Sequence, residues 1–217
     1  MSFKLKYFVQ SWVEIDFNGK VIHIDPSFID KADKKMVEKA DYIFITHHHG
    51  DHCDEEAVKY ISKDNTKLFF TELCKENLQE DGRILKAGES IEIGEFKVSA
   101  IPAYNTPDGN STHKFHKKDE CLGYIFEIDG KKIYHAGDTD IIEEMNLLKD
   151  IYIAMLPYGG TYTMDLREAV KATSIINPEY ILPIHGREKS YKEFEKSIKN
   201  ECNSKIISGK NNSIFEI

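Results

Sequence analysis

Thr46-His47-His48-His49-Gly50-Asp51-His52 is the stretch on which the reading of this chain turns. It follows directly on the apolar run Tyr42-Ile43-Phe44-Ile45 and precedes the helix-forming segment Asp54–Ser62. Four imidazoles and a carboxylate are therefore expected at the C-terminal end of a strand, where open α/β sheets place their ligands. In a turn after a strand, His47 and His49 can aim at one point. Gly50 lets the backbone fold back, and Asp51 and His52 can aim at a second point close by. Imidazole nitrogen and carboxylate oxygen suit Zn²⁺, Mn²⁺ or Fe²⁺. A mere surface run of histidines would not sit mid-chain between a strand and a helix with an aspartate interleaved.

Working outward, the N-terminal segment reads as strands joined by tight turns. Phe3, Leu5, Tyr7 and Val9 alternate with period two, as do Val13, Ile15 and Phe17. Asn18-Gly19 then leads into Val21, Ile22 and Ile24, and Asn-Gly between such runs is a strong hairpin signal. The pattern continues as helix Asp33–Lys39, strand Tyr42–Thr46, helix Asp54–Ser62, strand Lys67–Thr71 and helix Glu72–Glu80. Strands return at Ser90–Ile93, Phe96–Ile101, Gly123–Asp129 and Lys131–His135, with Asp129-Gly130 as another hairpin turn. Ile141–Leu148, Asp165–Ile176 and Tyr191–Asn200 read as helices. Ile151–Leu156, Tyr180–Ile184, Lys205–Ser208 and Ser213–Ile217 read as strands. Hairpins mixed with strand–helix units predict an α/β protein with mixed sheets and helices outside. The irregular stretch Tyr104–Glu120 is longer than most structureless loops, and such loops are either functional or disordered.

The chain has 217 residues, enough to bury roughly 70% of the unfolded surface in one core. With 41% hydrophobic and 30% charged residues it has a globular composition, not a disordered one. Its net charge of −8 and lack of a basic tract argue against a sequence-independent nucleic-acid partner. The apolar runs are far shorter than the roughly 18 residues of a membrane span. The N-terminal residues lack the apolar core and small-residue cleavage site of a signal peptide. Cys53, Cys74, Cys121 and Cys202 are scattered without a CxxC, and read as reduced thiols. A cytoplasmic protein is expected.

The pattern His47-x-His49-x-Asp51-His52 resembles the HxHxDH signature of the metallo-β-lactamase superfamily. Further motifs of that superfamily follow in order. Asp25 in Ile22-His23-Ile24-Asp25-Pro26 resembles its early acidic position, and Asp138 in His135-Ala136-Gly137-Asp138-Thr139 resembles its bridging aspartate. His185 in Pro183-Ile184-His185-Gly186 resembles its last histidine. The resemblance covers essentially the whole chain. It is closest to small, single-domain metal-dependent hydrolases related to the ascorbate-6-phosphate lactonases, through Pro102–Asn105, His135–Thr139 and Pro157–Asp165. It implies one domain over 1–217, a four-layer αββα sandwich, with two divalent metals at one edge of the two sheets.

The resemblance also implies roles. His47 and His49 would hold the first metal, Asp51, His52 and His185 the second, and Asp138 would bridge them. The remaining histidine of the first site usually follows soon after the strand that ends here at Pro102, but this chain offers Tyr104 and Asn105 there. Phe115-His116-Lys117-Lys118 resembles the subgroup's later Phe-His-Pro-Lys stretch without its proline, so His116 is the first candidate and His113 the second. Asp25 would accept hydrogen bonds behind the ligands. His23, among apolar neighbours, reads as structural, and Cys53 as a buried thiol rather than a ligand.

Two divalent ions about 3.5–4 Å apart acidify water toward pH ~7 and polarise a carbonyl or phosphoryl oxygen. The function this implies is hydrolysis of a small ester, lactone or phosphodiester, one with an anionic group included, by a metal-bound hydroxide. Zinc leads as the ion, with manganese or iron as alternatives. Asp51 and His135 are the candidate catalytic residues. Asp51 would orient the nucleophile or take its proton. His135 would orient a ligand or serve the leaving group, and its other reading is a packed core histidine. His113 and Tyr104 are further proton-donor candidates. Gly159-Gly160, Arg187 and the lysines Lys114, Lys117 and Lys118 could meet an anion, although a turn and a solvated face explain the glycines and lysines equally. Two other functions compete: a mononuclear iron redox enzyme resembling sulfur dioxygenases, and a non-catalytic binding module. The second would be expected to lose ligands, and six of the usual seven are plain here. Self-association occurs among relatives and is open for this chain.

Overall fold

A computed structural model describes residues 3–186 and 190–216. The chain divides into two compact units, residues 1–85 with 210–217, and residues 86–209. Each is built around one seven-stranded mixed sheet.

The first unit begins with β1 (Lys4–Tyr7), β2 (Val13–Phe17) and β3 (Lys20–Ile24), an antiparallel meander. The β2–β3 turn is Asn18-Gly19, both left-handed at φ 48° and 71°. That is the primed turn matching the twist of the two strands, and it needs residues that tolerate positive φ. β4 (Tyr42–Phe44), β5 (Lys67–Phe70) and β6 (Arg83–Ile84) then add in parallel, with α1 (Glu55–Ile61) crossing between β4 and β5. Asp54 caps α1, its carboxylate accepting from the amides of Glu56 and Ala57. Ala57, Val58 and Ile61 on α1 pack into a core with Phe8, Trp12, Ile43, Ile45, Leu68 and Phe70.

The predicted helix over 33–39 does not form. Its backbone is committed to side chains of the sheet instead. Lys6 donates to the Met36 carbonyl at 2.9 Å, the Glu38 amide donates to Glu14 at 3.1 Å, and the Glu38 carbonyl accepts from His23 at 3.0 Å. Lys6 also pairs with the fully buried Glu14 at 2.6 Å and with Glu38 at 2.6 Å. A buried ion pair needs such extra partners to offset desolvation, and here they come from the segment that would have been helical. The helix expected over 72–80 contracts to a 3₁₀ turn over Glu72–Glu76.

The second unit repeats the plan. β7 (Ser90–Ile93), β8 (Phe96–Pro102), β9 (Leu122–Ile128) and β10 (Lys131–His135) are antiparallel neighbours. β11 (Ile151–Pro157), β12 (Tyr180–Ile184) and β13 (Lys205–Ile206) follow in parallel. The β9–β10 turn is Asp129-Gly130, again left-handed at φ 50° and 74°. α2 (Leu166–Ile176) and α3 (Tyr191–Glu201) are the crossovers, and the expected helix over 141–148 is a 3₁₀ turn at Glu143–Leu147. Ala169, Val170, Ala172, Thr173 and Ile176 form the buried stripe of α2. Beyond β13 the chain returns to the first unit, where β14 (Ser213–Glu216) pairs with β1. The four cysteines are free thiols.

Candidate metal centre

Each unit gathers side chains of metal-ligating type, most of them just past the C-terminal ends of its strands and His116 in the loop between β8 and β9. In the first unit β4 runs into Thr46 and the histidine cluster. The Nε2 of His47 and the Nδ1 of His49 lie 3.1 Å apart. The convergence read from their spacing is thus present in the fold. The ring of His52 lies 4.0 Å from that of His47, and its Nε2 is 3.8 Å from the Asp51 carboxylate. His47 and His52 are fully buried.

Asp25 organises this half. It directly follows β3, is fully buried, and is held at φ 49°. One oxygen accepts from the Thr46 amide at 2.7 Å. The other accepts from the Thr46 hydroxyl at 2.8 Å and from His52 Nδ1 at 2.7 Å. A carboxylate on Nδ1 fixes the ring and leaves Nε2 with its lone pair outward, as metal-ligating histidines require. Asp25 is thus the hydrogen-bond acceptor that the sequence reading expected. Two residues that it missed support Asp51. Gln10 donates to the Asp51 carboxylate at 2.9 Å, and the Ser27 hydroxyl donates to its backbone carbonyl at 2.8 Å. Gln10 sits at φ 58° in the β1–β2 turn, a placement that its neighbours in sequence do not announce.

In the second unit three predicted ligands converge. Asp138, past β10, has its Oδ2 3.2 Å from His185 Nε2 and 3.5 Å from His116 Nε2. His185 directly follows β12 at φ 47°, the left-handed counterpart of Asp25. Gly159 makes room for it: a Cβ there would lie 2.7 Å from the His185 carbonyl. Gly160 is the turn of its two readings, because its amide donates to the Met164 carbonyl at 3.0 Å.

His116 and His113, the two candidates for the missing histidine, separate clearly. His116 is 2% exposed and approaches Asp138. Its Nδ1 faces the Asn105 Oδ1 and the Tyr162 carbonyl, each at 3.1 Å, so a proton there leaves Nε2 on the Asp138 side. Asn105, standing where the usual histidine is absent, is another supporting residue the sequence reading missed. His113 is exposed, and its ring packs on those of Phe115 and Tyr162.

The remaining candidates are also placed. His135 is fully buried, and its Nδ1 accepts from the Gly137 amide at 3.2 Å, bracing the turn that carries Asp138. The Tyr104 hydroxyl donates to Glu144 at 3.0 Å, and burial together with that carboxylate raises its pKa. Lys114, Lys117 and Lys118 are paired with Asp140, Glu120 and Glu144 at 3.0, 2.8 and 2.7 Å. Lys114 also donates to the Gly109 carbonyl and Ser111, so Tyr104–Glu120 is a tied loop. Arg187 lies outside the described residues. Cys53 is buried, and its contact with Cys74 together with burial keeps the thiol protonated. His23 accepts from Trp12 Nε1 at 2.9 Å, and burial lowers its pKa to about 3.

Comparisons with known proteins identify the family and the fold. The beta-lactamase superfamily domain matches residues 4–185. A UPF0173 metal-dependent hydrolase of Thermococcus onnurineus is 34% identical over 77% of each chain. A crystal structure from Parabacteroides distasonis superposes with a TM-score of 0.83 at 33% identity, covering 94% of this chain and 92% of that one. The metallo-β-lactamase fold protein YhfI of Bacillus subtilis superposes with a TM-score of 0.79 over 99% of both chains; at 11% identity it shows the fold alone. The α/β class expected from the sequence, in its metallo-β-lactamase form, is therefore the fold of this chain. The chain belongs to the UPF0173 metal-dependent hydrolase family of the beta-lactamase superfamily. Among the described residues, no helix is long and apolar enough to cross a membrane.

Proposed function

We propose that the chain is a single domain with a dinuclear metal centre, and that the enzyme hydrolyses a small ester, lactone or phosphodiester. His47, His49 and His116 would hold one divalent ion, Asp51, His52 and His185 the other, and Asp138 would serve both. Zinc is the first choice, with manganese and iron as alternatives. The observation that carries the reading is the paired preparation of imidazole lone pairs. His52 is turned outward by Asp25 at 2.7 Å, and His116 by Asn105 and the Tyr162 carbonyl at 3.1 Å. The set fits the group chemically, since buried imidazoles and carboxylates already carrying hydrogen bonds on their far sides are what a divalent ion with nitrogen and oxygen ligands demands.

Bound there, the ions would lower the pKa of water and polarise the substrate's carbonyl or phosphoryl oxygen. The protein's own part is orientation. Gln10 steadies the Asp51 carboxylate, which would align the attacking water or take its proton. His135 holds the Gly137–Asp138 turn through its Nδ1, so its role is to position Asp138. A small substrate, anionic groups included, and a cytoplasmic setting complete the reading.

The test is metal content per chain on protein purified without chelator or affinity-tag metal, for wild type, His116→Ala and His113→Ala. About two ions in wild type and His113→Ala, and about one in His116→Ala, support the centre. Wild type that holds no metal and takes none up on dialysis overturns it.

A further inference from the structure

Three aromatic rings stand beside His116 with no structural task that explains their exposure. Phe115 is 56% and Tyr162 41% exposed, and most other large apolar side chains are buried. The Phe115 and Tyr162 rings stack at 5.5 Å and 20°, and the His113 ring leans against them at 5.7 and 5.4 Å. The group is fixed in place from below. The His113 amide donates to the Thr161 carbonyl at 2.8 Å, and the Asn105 side chain donates to the Tyr162 carbonyl at 2.8 Å. That same carbonyl faces His116 Nδ1 at 3.1 Å. One short framework therefore carries both the ring cluster and an imidazole assigned to the centre.

We propose that Phe115, Tyr162 and His113 form a stacking platform that selects substrates carrying a flat, apolar group, such as an aryl ring. The inference rests on the metal-centre reading for His116. The platform's size argues for a small-molecule group rather than a second copy of the chain. At about 200 Å² per aromatic side chain, the exposed parts of Phe115 and Tyr162 offer on the order of 200 Å². A stable protein partner needs about 800 Å² per side. Ring faces attract another flat ring in offset-stacked or edge-to-face geometry beyond what area alone gives, so a flat ring is favoured over a puckered one of equal carbon count.

The experiment compares binding of phenylphosphonate and cyclohexylphosphonate, equal in carbon number and, at an alkaline pH where both are dianions, in charge, by titration calorimetry on zinc-loaded and metal-free protein. Metal content is measured in parallel. Wild type is expected to prefer the phenyl compound by about 3- to 10-fold. Phe115→Ala and Tyr162→Ala lose the preference with metal content unchanged, whereas Leu147→Ala, another exposed apolar site, keeps it. Equal affinity for both compounds, or no binding of either, overturns the platform while normal metal uptake leaves the metal centre standing. Absent metal uptake with the phenyl preference intact overturns the centre and spares the platform. A change of oligomeric state in Phe115→Ala with no phenyl preference in wild type would make the rings a subunit contact and overturn the proposal.

Discussion

Asn105 clasps His116 from both sides. Its amide donates to the His116 carbonyl at 2.9 Å, and its side-chain oxygen accepts from the His116 amide at 2.9 Å and faces Nδ1 at 3.1 Å. Asn105 thus supports a histidine eleven positions later in the chain.

Asn105→Ala removes the acceptor of the His116 amide and one of the two acceptors facing Nδ1. Partners of this kind are worth about 10- to 100-fold in metal affinity. Chelator competition is expected to show one of two ions weakened by that factor and the other unchanged. Unaltered affinity for both ions would remove Asn105 from the site.

Asp25→Asn keeps the shape but sets an amide NH₂ or a single carbonyl against three donors: the Thr46 amide, the Thr46 hydroxyl and His52 Nδ1. Leaving a buried donor unmet costs about 1–3 kcal/mol. The variant is expected to unfold at lower urea, with Tm down by about 2–4 °C per kcal/mol at this size, and to bind metal more weakly. A variant that matches wild type in both measurements would show that Asp25 does not orient His52.

Gly159→Ala places a methyl group 2.7 Å from the backbone carbonyl of His185. Backbone must shift, and overpacking of this kind costs about 1–3 kcal/mol. Because His185 moves with its carbonyl, metal affinity should fall along with Tm. A drop in Tm with intact affinity for both ions would separate His185 from the centre.

Fully buried His23 has a pKa of about 3 against an ordinary 6.5. The unfolded chain therefore binds a proton below pH ~6.5 that the native chain refuses until about pH 3. Stability falls with acidification through that window at ~1.4 kcal/mol per pH unit for this group. Glu14 lies 3.5 Å from the ring, and burial raises its pKa, which Lys6 opposes. In urea titrations of metal-free protein at pH 7, 6 and 5, His23→Gln is expected to show a shallower loss than wild type, although it starts less stable. Parallel slopes would mean that His23 does not carry the effect.

Local chemistry explains which features were legible in the sequence. Asn18-Gly19 and Asp129-Gly130 announce hairpins because only a few residue types accept consecutive positive φ. The strand before His47 and the helix that follows it are likewise written in neighbouring residues. Residues 33–39 have helical spacing, but Lys6, Glu14 and His23 draw their backbone groups into a buried network, and sequence periodicity does not register partners 15 to 30 positions away.

The sequence by itself determined the α/β class, the turns and the donors packed into His47–His52, because the nature and spacing of adjacent residues set those directly. Only the tertiary structure decided that His116 rather than His113 approaches Asp138, that His135 braces the turn beneath it, and that Gln10 and Asn105 steady Asp51 and His116. It also decided that β13 and β14, close in sequence, join different sheets. Those outcomes depend on which strand ends meet. That meeting is set by burial of apolar faces across the whole chain, and no short stretch of residues encodes it.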